Sequence, residues 1–131
     1  MKVLQPPGWA NPKGYSNGVT VRGRLIFVAG QVGWDEQCIF QADDLVGQVA
    51  QALKNIVAIL AEAGAKPEHI VRMNWYLGDK DEYDVSQKEL GRVFREIIGS
   101  YDAAMTAVQV AGFVEKGAKV EIEVTAVIPD Q

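Results

Sequence analysis

Residues 24–31 and 70–77 carry apolar side chains on both faces of what reads as a strand, in a chain with only two helical stripes to cover them. In the first segment Leu25, Phe27 and Ala29 point one way, and Ile26, Val28 and Gly30 the other. In the second, Val71, Met73, Trp75 and Leu77 share a face, with Ile70 and Tyr76 opposite. Strands apolar on both faces are buried on both. Two helices cover one face of a five-stranded sheet, and the other face needs its own cover. Soluble monomers seldom expose large contiguous apolar patches. The pattern therefore predicts that another copy of the chain covers the second face.

The rest of the chain supplies the other elements in a single 131-residue domain, 1–131. Three prolines (Pro6, Pro7, Pro12) and three glycines (Gly8, Gly14, Gly18) mark residues 6–18 as a loop. Residues 19–22 read as a short strand, with a tight turn at Gly23 into the strand over 24–31. Asp43 or Asp44 is placed to cap a helix whose stripe is Leu45, Val46, Val49, Leu53, Ile56, Val57 and Leu60. Gly64 ends that helix and Pro67 prevents its resumption. After the strand at 70–77, a second helix is expected over 81–98, with Leu90, Val93, Phe94, Ile97 and Ile98 as its buried stripe and Gly99 as its cap. Strands at 105–111 and 119–128 close the chain. The order is β-β-α-β-α-β-β, an α+β class.

The final strand alternates. Val120, Ile122, Val124 and Ala126 lie on one face, with Glu121 and Glu123 on the other. If the helices take the apolar face, both carboxylates point toward the subunit-contact side. A carboxylate beside an intersubunit cleft is a candidate general acid or base, and an exposed strand face explains the same spacing.

Composition removes several function classes. The formal net charge of −4 argues against a protein built to grip a nucleic-acid backbone, or a polybasic membrane surface binder. A lone cysteine, Cys38, makes no internal disulfide, which fits a reducing compartment. No apolar leader and no run near the ~20 residues of a membrane span is visible, so a cytoplasmic location is expected. One cysteine and one histidine, His69, are poor material for a metal site, and no Gly-rich phosphate loop is present. No cofactor or metal is expected.

Several segments together resemble the RidA/YjgF family, also described as endoribonuclease L-PSP. They are Gly14-Tyr15-Ser16-Asn17-Gly18, Ile26-Phe27-Val28-Ala29-Gly30-Gln31, Gln48 with Ala52-Leu53-Lys54-Asn55-Ile56, and Leu60-Ala61-Glu62-Ala63-Gly64. Tyr76-Leu77-Gly78-Asp79 with Tyr83, Met105-Thr106-Ala107-Val108-Gln109-Val110, and residues 119–126 continue the match. The resemblance implies a chorismate-mutase-like fold, with two helices on one face of a five- to six-stranded mixed sheet. It further implies a homotrimer whose small-molecule ligand sits in clefts between subunits. Well-characterised members hydrolyse enamines and imines to ammonia and a 2-oxo acid without a cofactor.

In the family pattern an arginine binds the substrate carboxylate, and a serine, a tyrosine and a water-positioning glutamate complete the site. By this resemblance Tyr15 and Glu121 are the catalytic candidates. The serine position is Ala29 and the arginine position is Met105. Ala29, Gly30, Gln31, Trp34, Met105 and Ala107 are the expected ligand contacts. Loss of the arginine removes charge-assisted hydrogen bonds of roughly 1.5–3 kcal/mol each. This divergent member should therefore hold ordinary amino-acid-derived imines poorly. Three functions stay open: a deaminase with altered specificity, a metabolite-binding or regulatory protein using the same cleft, and a ribonuclease or translation inhibitor, which the charge disfavours. Arg22, Arg24 and Arg72 are candidates by type to replace the missing cation.

Overall fold

The computed structural model describes every residue except Tyr101. Its main sheet has four strands in the order β3-β6-β4-β5, formed by β3 (Gly23–Val32), β4 (Ile70–Leu77), β5 (Ala104–Gln109) and β6 (Val120–Pro129). The sheet is mixed. β6 runs antiparallel to both of its neighbours, and β4 pairs with β5 in parallel. β1 (Lys2–Leu4) and β2 (Gly18–Thr20) form a separate antiparallel ribbon. The expected five to six strands thus divide into four and two.

The cause of that division lies at Gly23. It makes no hairpin turn but is already the first residue of β3, opposite Pro129. A Cβ there would stand 2.0 Å from the Ile128 carbonyl oxygen, so only glycine lets the two backbones meet. β2 pairs instead with β1, three exposed residues that carry no periodic signal.

Helix α1 (Leu45–Glu62) starts at Asp44, whose side chain accepts a hydrogen bond from Gly47 N at 3.1 Å. It ends where Gly64 takes φ +75° and Ala65 N donates back to the Leu60 carbonyl at 3.0 Å. The expected second helix is two: α2 (Lys80–Val85) and α3 (Gln87–Ile97). Ser86, at φ −99° and ψ 5°, leaves helical geometry for one residue between them. The chain then resumes with the Leu90 N to Ser86 O bond.

Helices α1 and α3 pack together on one face of the sheet. Val49, Leu53, Ile56 and Leu60 of α1 and Leu90 and Val93 of α3 meet Val28, Met73, Trp75, Ile122 and Val124, all buried. By length and hydropathy α1 could cross a membrane, but its apolar stripe is spent on this core. Gln48 is 1% exposed. Its amide donates to the Ala42 and Gly117 carbonyls and accepts from Lys119 N, tying the loop before β6 to α1.

The opposite face of the sheet carries no helix, and it is not uniformly apolar as expected. On β4 it presents Arg72, Asn74 and Tyr76, because a bulge between Ile70 and Arg72 turns Ile70 into the core along with Met73. On β6 it presents Glu121, Glu123 and Thr125, half-buried. On β3 it presents Leu25 and Phe27, 58% and 75% exposed.

Candidate functional site

Residues 13–16 are held against the start of β5. Ser16 N donates to the Ala103 carbonyl at 3.0 Å, and Ser16 bridges Ala104 in parallel. That pairing sets Tyr15 level with Ala103, and Tyr15 and Met105 line the same cavity. Strand pairing puts Met105 level with Met73 and Ala107 level with Trp75, so both face the helix side. Between this edge and α3 lies a cavity of about 560 Å³ with Tyr15, Trp75, Tyr83, Phe94, Met105 and Ala107 in its wall. The Trp75 ring meets Tyr83 nearly edge-on at 6.2 Å between centroids and Phe94 at 6.4 Å. The Trp75 indole Nε1 is buried and finds no acceptor among the described residues.

The other expected residues sit across the sheet. Ala29, Gly30 and Gln31 occupy the bulged part of β3, where the register with β6 shifts between Val28 and Gln31. A Cβ on Gly30 would stand 2.7 Å from Glu121 Oε2, so the bare glycine lets the carboxylate lie against the β3 backbone. Gln31 Nε2 donates to the Ala29 carbonyl at 3.0 Å. Trp34 belongs to neither group. Its ring packs on Phe40 at 5.7 Å, and its carbonyl accepts from Asn55 Nδ2 of α1 at 2.7 Å. One chain therefore holds Tyr15, Met105 and Ala107 at the β5 edge, and Ala29, Gly30 and Gln31 at the β3 edge with Glu121 beside them. β6 and β4 lie between the two edges. Three strand spacings of about 4.8 Å separate them by about 14 Å.

The two acidic residues of β6 differ. Glu123 Oε1 accepts from Asn74 Nδ2 at 3.0 Å and from the Tyr76 hydroxyl at 2.5 Å. The Tyr76 bond, then the Asn74 bond, hold its carboxyl below the usual range, with the Arg72 charge adding and burial opposing. The same bond, burial and the charges of Glu123 and Glu121 push the Tyr76 phenol up. Glu121 has no hydrogen-bond partner among the described residues and is free to meet a ligand.

The sequence did not single out Asn74 and Tyr76 as partners of Glu123, although alternation along 70–77 puts both on one face with Arg72. Arg72 and Asn74 border a second hollow of about 390 Å³ with Phe27, Ala29 and Glu123. None of the three candidate cations reaches Met105. Arg22 lies 4.0 Å from Asp130, Arg24 donates to the Ala63 carbonyl at 2.9 Å, and Arg72 faces Glu123. Lys13 and Arg95 reach that cavity instead.

Glu123 makes a pH prediction. A carboxyl depressed in the folded state adds stability that is full above its unfolded value of about 4.3 and is lost as pH falls through the folded one. In melts from pH 7 down to 3, Glu123→Gln should show a shallower loss of Tm than wild type. Asp35 is also depressed, chiefly by Gln41, but it is present in both proteins and leaves the difference to Glu123. Parallel acid limbs would overturn the assignment.

The sequence profile described as Endoribonuclease L-PSP matches residues 9–128. A RutC family protein of Aquifex aeolicus is 33% identical over 131 residues, covering 97% of this chain and 99% of that protein. The human 2-iminobutanoate/2-iminopropanoate deaminase is 32% identical over 128 residues, covering 97% and 88%. Among solved structures, the Rid family protein YyfB of Yersinia pestis superposes with a TM-score of 0.85 at 26% identity, covering 97% and 98%. Escherichia coli TdcF with bound serine superposes at 0.70 with 29% identity, covering 98% and 99%. Profile, relatives and fold agree, and the chain belongs to the RidA/YjgF family, the Endoribonuclease L-PSP family.

Proposed function

We propose that this chain assembles as a homotrimer and hydrolyses small enamines or imines, without a cofactor, in clefts between its copies. The observation that carries this reading is the division of the site. Tyr15 and Met105 sit at the β5 edge on the helix side, while Gly30 lies at the β3 edge about 14 Å away, with Glu121 of β6 beside it on the helix-free face, too far and too differently faced to hold one small molecule within a single chain. A second copy that sets its β5 edge beside this β3 edge joins the halves. The exposed Leu25 and Phe27 on the helix-free face supply apolar area for that contact.

Glu121 supplies the chemistry. Water adds to the imine carbon while the carboxylate takes its proton; the C–O bond forms and the C=N π pair moves to nitrogen. Glu121 returns the proton to that nitrogen, giving a carbinolamine; the carboxylate then carries the hydroxyl proton to the same nitrogen, the C–N bond breaks, and ammonia leaves as the carbonyl forms. The Tyr15 hydroxyl, from the other half-site, is placed to hydrogen-bond the substrate. That the human relative is a 2-iminobutanoate/2-iminopropanoate deaminase, and that TdcF has bound serine, supports a small amino-acid-derived ligand.

The loss of polar anchors at Ala29 and Met105 favours a second reading, in which the cleft binds a metabolite without converting it. Ammonia release from freshly generated imines, amino-acid-derived and aromatic, separates the two. Release above the uncatalysed rate is expected. Saturable protection against heat by a ligand that yields no product would replace the hydrolase with a binding protein.

A further inference from the structure

The cavity beside α3 also specifies a class of ligand, an inference that rests on the cleft reading above. Helix α3 turns Gln87, Gly91 and Arg95 toward the cavity at four-residue intervals, the spacing of one helical face. Gly91 has no side chain, and Arg95 Nη1 lies 3.2 Å from where its Cβ would stand. The guanidinium therefore folds back over the bare glycine, along the cavity wall. Among the described residues Arg95 has no carboxylate partner, whereas its neighbour Arg92 is committed to Glu96 at 3.0 Å. A cation spent on no internal partner at the rim of a cavity is available to an anion.

The wall behind it is aromatic and apolar. Trp75, Tyr83 and Phe94 form it on one side, and Met105 extends it where the family pattern has a charged arginine. The indole Nε1 of Trp75, 3% exposed as a residue, is a donor with no acceptor among the described residues. Buried donors are nearly always satisfied, so this one marks a polar gap behind an otherwise apolar wall. A cavity of about 560 Å³ is also larger than a three- or four-carbon acid fills.

We propose that this cavity takes a small carboxylate bearing a flat aromatic substituent, with Arg95 of α3 as the carboxylate clamp in place of the residue at position 105. The cation has moved from the strand to the helix. The planar fork of arginine suits a carboxylate at either place. The space the strand arginine would fill becomes apolar wall, against which an aromatic ring packs.

Calorimetric titration tests this with three probes: phenylpyruvate, 2-oxobutanoate, and phenylacetone, which keeps the ring and the ketone but has no carboxylate. Phenylpyruvate should bind the wild-type assembly at least about 10-fold more tightly than 2-oxobutanoate or phenylacetone. Arg95→Gln should weaken phenylpyruvate about 10- to 100-fold and leave phenylacetone unchanged, as expected when a charge-assisted bond is lost. Arg92→Gln, on the same helix, should bind as wild type does. Equal affinity of wild type and Arg95→Gln for phenylpyruvate overturns the clamp. Equal or tighter binding of 2-oxobutanoate overturns the aromatic class. In both cases the cleft reading stands, because an oxo acid has bound. No binding by any probe overturns the inference, and ammonia release from the imine panel then decides whether the cleft reading falls with it.

Discussion

Glu121→Gln is expected to lower the rate of ammonia release by about 10²- to 10⁴-fold, the range that a positioned general base contributes. The amide has the shape of the carboxylate and fits the same space against Gly30. It breaks no internal hydrogen bond, since Glu121 makes none among the described residues. Stability and assembly should therefore match wild type, and the loss should appear in kcat rather than KM. Steady-state kinetics with a coupled ammonia assay, beside a melting curve and a light-scattering mass, reads all three. A variant within about 10-fold of wild type would remove Glu121 from the chemistry, whatever the overall activity. Glu123→Gln is a useful contrast, because that carboxylate already serves Asn74 and Tyr76.

If the proposed trimeric hydrolase holds, Phe27→Asp dissolves the assembly and stops ammonia release together. Phe27 is 75% exposed in the single chain, on the helix-free face of β3. Burying a phenylalanine against another copy contributes about 1.5–3 kcal/mol. Replacing it with an unpaired buried carboxylate costs several kcal/mol more, and each copy in a closed ring carries the change. The substitution lies on the far side of the sheet from α1 and α3, so the fold should survive with its circular dichroism intact. The expected species is a folded monomer with both half-sites present and no turnover. A Phe27→Asp protein that stays oligomeric and active would mean that this face is not the contact. A monomer that stays active would mean that the site is complete within one chain.

The sequence was most informative where local physics decides. Helix α1 was legible from its stripe, and its ends from Asp44 and Gly64, because capping and φ > 0 are chosen by one or two residues. The alternation of β6 placed Glu121 and Glu123 on the face away from the core, where they are found. The split at Ser86 was not legible, since Leu90, Val93 and Phe94 keep helical spacing through the break and the departure is one backbone conformation. The ribbon of β1 and β2 was missed because three-residue strands carry too short a pattern to read.

The site shows the same boundary. Tyr15, Glu121, Ala29 and Met105 were picked by type and place in a family pattern, which needs no knowledge of the sheet order. Arg95 was passed over because it stands beside the buried stripe of its helix. The signal was present in Gln87, Gly91 and Arg95 four residues apart, but that spacing means nothing until β5 is known to lie opposite. Periodicity reports which side of an element is apolar, and a strand's own residues settle that. Strand order depends on contacts between residues far apart in the chain. By itself the sequence determined helix α1, the positions of the four main strands, the two faces of β6, and the family. Only the tertiary structure decided that β3 and β5 end at opposite edges, that Glu123 is committed to Asn74 and Tyr76 while Glu121 has no hydrogen-bond partner among the described residues, and that Arg95 of α3 lines the same cavity as Met105. Each of those is a long-range pairing, whose free energy exists only once the chain has closed.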